Sequence, residues 1–235
     1  AYKGSGQTTP INTAFGNPLV ARVQDALGGA VMASQAVTFA PPASGASATL
    51  GTLSGNTDFN GTLGTTATAN GLAGSYAVNA SSGALNAGPG FALTNDKGTG
   101  TLVWDTTSFV YSGSNVTPTA HISEESGATC TFTPASVGPN VGSYSVAANC
   151  ASANYTASGS TTVSITQASA TFALSHLVQA YDGAPKSVLV TPTPSTVSYS
   201  VSYVGTGSTS YGPSMQARVQ VGTYMATATS TNPNY

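Results

Sequence analysis

The sequence predicts an all-β fold laid out as a tandem array of small β-sandwich modules, and three observations predict it. Charged residues make up 5% of the 235, against about 25% in ordinary soluble domains. Helices would lack i, i+4 ion pairs, whereas Thr-rich strands and Gly/Pro/Asn turns are well supplied. Second, short runs alternate apolar and polar residues with period two between turn residues. Third, VGSYSVAANCASANY (141–155) returns as VGTYMATATSTNPNY (221–235), displaced by 221 − 141 = 80 residues. A displacement of that length marks repeated units. A weaker echo, Gly74-Ser75-Tyr76-Ala77-Val78, makes the count three, divided here as 1–97, 98–167 and 168–235. Each is near the lower end of domain size and has a small core.

In the first unit, Leu19, Ala21 and Val23 alternate with Val20, Arg22 and Gln24. Asp25-Ala26-Leu27-Gly28-Gly29 turns the chain, and Val37-Thr38-Phe39 begins a strand that Pro41-Pro42 stops. Asn60-Gly61 and Asn70-Gly71 are turn signals. Tyr76/Val78 and Phe91-Ala92-Leu93 supply the last strands. The second unit opens with Leu102/Trp104 and 109–113, repeats the Gly-x-Tyr strand at Gly142-Ser143-Tyr144, and closes with an alternating strand at 161–166. The third opens with Phe172/Leu174 and Tyr181-Asp182-Gly183 and carries Gly222-Thr223-Tyr224. Tyr76, Tyr144 and Tyr224, with Gly142 and Gly222, form the structural signature, the glycine permitting the turn that feeds each strand. The segments 95–100 and Gln167-Ala168 read as short linkers that leave little freedom between units, giving an elongated rod. The second unit continues past Asn154-Tyr155 into a strand, but the third ends at Tyr235. It is expected to lack its closing strand, to be frayed or completed by a neighbour, and to be part of a longer array.

Pro18 to Ala26, Val37-Thr38-Phe39, 57–61 and Ala73 to Ala80 resemble, in order and spacing, the bacterial immunoglobulin-like domains of the invasin and intimin type. Gly28-Gly29 departs from the Gly-Asn-Pro-like turn more frequent in that family. Tyr111-Ser112-Gly113, Tyr181-Asp182-Gly183, the two Val-Gly-Ser/Thr-Tyr strands and the closing Asn-Tyr pairs resemble the YDG/MBG-type repeats of long bacterial surface proteins. The Gly-x-Tyr entry is similar to the tyrosine corner of immunoglobulin sandwiches, although position 146 is Val where a cysteine would stand. The resemblances imply immunoglobulin-like sandwiches throughout, with a β-grasp-like fold as the alternative for the last two units.

Cys130 and Cys150 share the phase of inward-pointing neighbours, Cys130 with Phe132 and Cys150 with Tyr144 and Val146. Disulfides concentrate in small exported domains with thin cores, and this one would add about 3 kcal/mol. Two buried free thiols are the alternative.

A net charge of −2 with five Lys+Arg leaves no basic patch for nucleic acid or anionic lipid, and no apolar run approaches the roughly 20 residues of a membrane span. Two histidines and seven carboxylates leave little from which to build an active site. His176 with Asp182 lacks a Gly-x-Ser-x-Gly elbow. His121 with Glu124 and Glu125 reads as a solvated turn, since adjacent strand residues face opposite ways. Lys97 beside Asp96 is the least poor candidate for an internal amide crosslink. Sequons begin at Asn79, Asn115 and Asn154, and Trp104 and Tyr111 read as core in preference to a sugar platform. No enzyme and no cofactor or metal are expected.

The resemblances imply a structural stalk or spacer in a bacterial cell-surface or secreted adhesin-like protein, outside the cell, its partners the neighbouring repeats. The alternative is an adhesin module that binds a host glycan or protein. An ice-binding surface, prompted by the threonines of 62–68, needs a flatter and longer array than these strands supply.

Overall fold

The computed structural model describes residues 1–25, 30–86 and 88–235, so the expected turn at Gly28-Gly29 lies outside the described residues. Those residues form strands and turns and no helix, the element a β-grasp would wrap around. By its internal packing the chain divides into two compact units. The first comprises Ala1–Asp105, Ala120–Phe132 and Ala147–Gly159; the second comprises Thr106–Thr119, Thr133–Val146 and Ser160–Tyr235.

Most of the first unit is a two-layer sandwich. One layer has the strand order Gln7–Pro10, Phe91–Asp96, Gly74–Ser82, Ala36–Ala40, Ser54–Asn56. The first pair is parallel and the others antiparallel. The second layer contains the antiparallel pairs Leu19–Arg22 with Thr62–Thr65, and Ala48–Leu50 with Ala67–Ala69. The alternation seen in the sequence decides what lies inside. Leu19, Ala21, Ala48, Ala67 and Ala69 come from one layer and Val37, Phe39, Val78, Phe91 and Leu93 from the other, and together they make one apolar cluster. The Phe39 and Phe91 rings are tilted 6.0 Å apart at its centre.

Asp58 explains the Asn60-Gly61 turn: its carboxylate accepts the N–H groups of Asn60 and Thr62, and Gly61 takes φ +67°. Asn70 does similar work with its side-chain oxygen, which accepts from Leu72 and Ser47. Thr65 is buried, and the strands on either side of Thr66 pair with different partners, so 62–68 is no single flat threonine face.

The expected linker at 95–100 needs correction. Asn95 and Asp96 end the strand Phe91–Asp96, and Gly98–Thr99 is itself a strand, pairing in parallel with Tyr155 and Thr156. Backbone groups that a free linker would leave to water are satisfied here by strand partners.

In the second unit, Ser108–Val110 pairs in parallel with the end of Tyr155–Thr166. Thr171–Ser175 pairs antiparallel with Leu189–Thr193, and Tyr199–Gly205 with Tyr224–Ser230. Residues 231–235 form a turn in which Asn234 is buried. Apolar burial is sparser here, resting on Val137, Val146, Val163, Ile165, Val190, Val197 and Tyr203.

Candidate functional site

The residues singled out for chemistry are spread out and occupied with structure. His176 is exposed in a left-handed turn, and Asp182 pairs with Lys186. His121 Nδ1 lies 2.7 Å from Asp105 Oδ1. Glu124 accepts the Thr101 backbone N–H and hydroxyl, both at 2.7 Å, which hold its carboxyl down at about 2. Among the described residues no group of three or more His, Cys, Asp or Glu is placed to hold a metal ion. No helix among them is long and apolar enough to cross a membrane.

The cysteines are bonded, Cys130 to Cys150, with Cys150 buried beside Ile122 and Ala157. Trp104 packs on Phe132 at 5.9 Å, and Tyr111 meets Tyr235 edge-on at 5.3 Å. The repeated tyrosines do use their phenols as ties. Tyr144 donates to the Asn140 carbonyl at 2.8 Å and Tyr224 to the Gln220 carbonyl at 2.9 Å, each four residues upstream. Tyr76 donates instead to Asn95 Oδ1 at 2.9 Å; burial pushes its phenol up to about 12, against the pull of that bond. The glycines differ in what they do. Gly74 has φ +147°, whereas Gly142 and Gly222 lie outside the left-handed region. At Gly222 the constraint is space, since a Cβ would come within 2.7 Å of the Thr209 side chain.

The closing Asn-Tyr pairs carry a role that the repeat signature marked without explaining. Asn154 Oδ1 accepts the N–H of Ala73, the residue before Gly74-Ser75-Tyr76, at 2.8 Å. Asn234 Oδ1 accepts the N–H of Val141, the residue before Gly142-Ser143-Tyr144, also at 2.8 Å. The main-chain carbonyls of the same asparagines accept from Gly98 and Ala168, each at 2.9 Å. Their amide nitrogens are fixed in turn: Asn154 donates to Glu125 Oε1 at 2.8 Å and Asn234 to Asn140 Oδ1 at 3.1 Å. Glu125 also accepts from the Ser152 hydroxyl and the Asn154 N–H, and these bonds lower its pKa, the Ser152 bond most. Lys97 donates to the Ser152 carbonyl beside it, and Gln167 to the Pro233 carbonyl. Each clasp thus ties a turn to the entry of a Gly-Ser-Tyr strand 81 or 93 residues earlier. The Asn154 sequon is spoken for by this network.

A second feature lies within 176–226. A cavity of about 480 Å³ is walled by Val178, Tyr181, Val221 and Tyr224, with Arg218 in its lining.

A family model described as MBG domain matches residues 101–169 and again 170–235. No curated protein matches the chain. Among solved structures, the C-terminal 282-residue fragment of intimin, crystallised in complex with the translocated intimin receptor (Tir) intimin-binding domain, is similar at 18% identity with a TM-score of 0.36. The likeness covers 72% of this chain and 63% of that one, so the chain matches less than two thirds of that fragment.

Proposed function

Because the chain belongs to the MBG-domain family, we propose that it is a structural spacer: three modules, 1–97, 98–167 and 168–235, that hold distance and orientation in a bacterial surface adhesin-like protein. The observation that carries this reading is the recurrence of one joint. At Asn154 and again at Asn234 the same side chain reaches back to the same position of an earlier unit, while its carbonyl fixes the start of its own. A geometric role needs joints that repeat, and a carboxamide both accepts and donates, so each side chain holds one strand entry while its own orientation is fixed by Glu125 or Asn140. The hydroxyl-rich exposed faces and net charge of −2 support it further, since neighbouring stalks repel one another little. Catalysis has no support from the arrangement of titratable groups described above.

The test is a spin-label distance measurement between the first and second modules, compared with Asn154→Ala. The parent chain is expected to give one narrow distance distribution. The variant should broaden it while losing about 1–2 kcal/mol of stability. Equally broad distributions in both would defeat the spacer reading. Recognition of a ligand, the second reading, is supported by the cavity at Arg218.

A further inference from the structure

Arg218 is 6% exposed, yet its Nε and Nη2 have no hydrogen-bond partner. Its guanidinium lies 3.3 Å from the Tyr211 ring centroid, with Tyr203 at 5.2 Å and Tyr224 at 5.8 Å. Those rings attract the cation through their faces but offer no acceptor to its edge. Of the seven carboxylates in the chain, Asp182 alone falls within 168–235, and it is held by Lys186. Buried charges are ordinarily paired, and this guanidinium keeps a buried fork with no hydrogen-bond partner. Nε and Nη2 form the side-on fork of the guanidinium, which matches the two oxygens of a carboxylate.

The same residue lines the 480 Å³ cavity, a volume in the range of small-molecule sites. Its rim exposes apolar side chains that a free-standing domain has little reason to keep wet: Val178 is 96% exposed, Val221 79% and Tyr181 66%. Apolar walls beside one unpaired charged group are the usual division of labour in such sites.

We propose that this cavity binds a small organic carboxylate with an apolar face, its acid group pairing with the buried Arg218 fork as the tyrosine rings packed on it shift aside, and its carbon skeleton against Val178, Val221 and Tyr224. The proposal is independent of the spacer reading. A hydrophobic acid and a sugar acid share this chemistry, and the experiment distinguishes them.

The 235-residue chain is titrated calorimetrically with phenylacetate, glucuronate, acetate and the neutral amides of the first two. Saturable binding of phenylacetate or glucuronate is expected, the tighter of the two identifying the source. The matching amide should bind about tenfold more weakly or worse, and acetate, which lacks the apolar face, should also be weaker. Arg218→Lys keeps the charge but loses the fork, and is expected to weaken the acid about tenfold. Comparing acid with amide on the unaltered chain does not depend on whether that variant folds. The proposal is overturned if neither acid saturates below about 10 mM, if acid and amide bind alike, or if acetate matches the larger acids.

Discussion

Asn95 is 1% exposed. Its Nδ2 donates to the carbonyls of Ser47 and Leu72 and to Asn70 Oδ1, and its Oδ1 accepts the Tyr76 phenol. The backbone groups it satisfies come from loops 23 and 48 residues away in sequence, so removing the side chain orphans several buried partners at once. Asn95→Ala is expected to cost about 2–3 kcal/mol in equilibrium denaturation; a loss under about 0.5 kcal/mol would mean that water replaces the amide freely. Nothing local in the sequence distinguishes Asn95 from an ordinary loop asparagine, which is why it read as linker. Asn154 and Asn234 were visible as part of a repeated pair, but their roles depend on strand entries far back in the chain. Arg218 was invisible for a related reason, since its tyrosine neighbours are brought together by the pairing of Tyr199–Gly205 with Tyr224–Ser230 and by the Tyr203–Ser214 bridge.

At the scale of the strand, period-two alternation was enough to say which face is inside. In Gly142–Ala151 the buried residues are Val146, Ala148 and Cys150, with the intervening residues exposed. The phase shared by Cys130 and Cys150 belongs to the same pattern, and the bond between them joins Thr129–Thr133 to Gly142–Ala151 covalently. What alternation could not give is pairing. The parallel match of Gln7–Pro10 to Phe91–Asp96 joins segments more than 80 residues apart in sequence, and no local signal specifies it. The bond closes a loop with a sequence separation of 20 residues, and the chain-entropy picture assigns such a loop about 3 kcal/mol. The Cys130→Ala/Cys150→Ala double variant should lose about that much. Trp104, the one tryptophan of the chain, packs on Phe132 two residues from Cys130, so its fluorescence follows the affected region. Unchanged tryptophan unfolding in the double variant would show that neighbouring contacts hold these strands without the crosslink.

Across the whole molecule, the scarcity of charge was fully legible in composition, and the structure shows where the few ionisable groups are placed. Glu124, Glu125, Asp58 and Asp182 each accept hydrogen bonds that lower their pKa. A carboxyl whose folded pKa lies below its unfolded one stabilises fully above the unfolded value and loses that contribution as pH falls through the folded value. For Glu124 the loss runs from 4.5 down to about 2. Tyr76 acts with the opposite sign: its phenol, raised from 10.0 to about 12, stabilises fully below 10.0 and loses that contribution as pH climbs toward the upper value. Stability should therefore fall below about pH 5 and above about pH 10; between them the Ala1 amine, whose pKa burial lowers from 8.0, adds a rise with pH that is complete above 8.0 and lost as pH falls through its folded value. Glu124→Gln should blunt the acid fall, and Tyr76→Phe the alkaline one. With so few surface ion pairs to screen, added salt should hardly move the midpoint between those limits. The measurement is thermal unfolding followed by circular dichroism across pH at two salt concentrations. A midpoint that still slopes between about pH 8.5 and about pH 9.5, above the range of the Ala1 amine, or shifts strongly with salt there, would mean that long-range charge, and not hydrogen-bonded turns and joints, sets the stability of the chain.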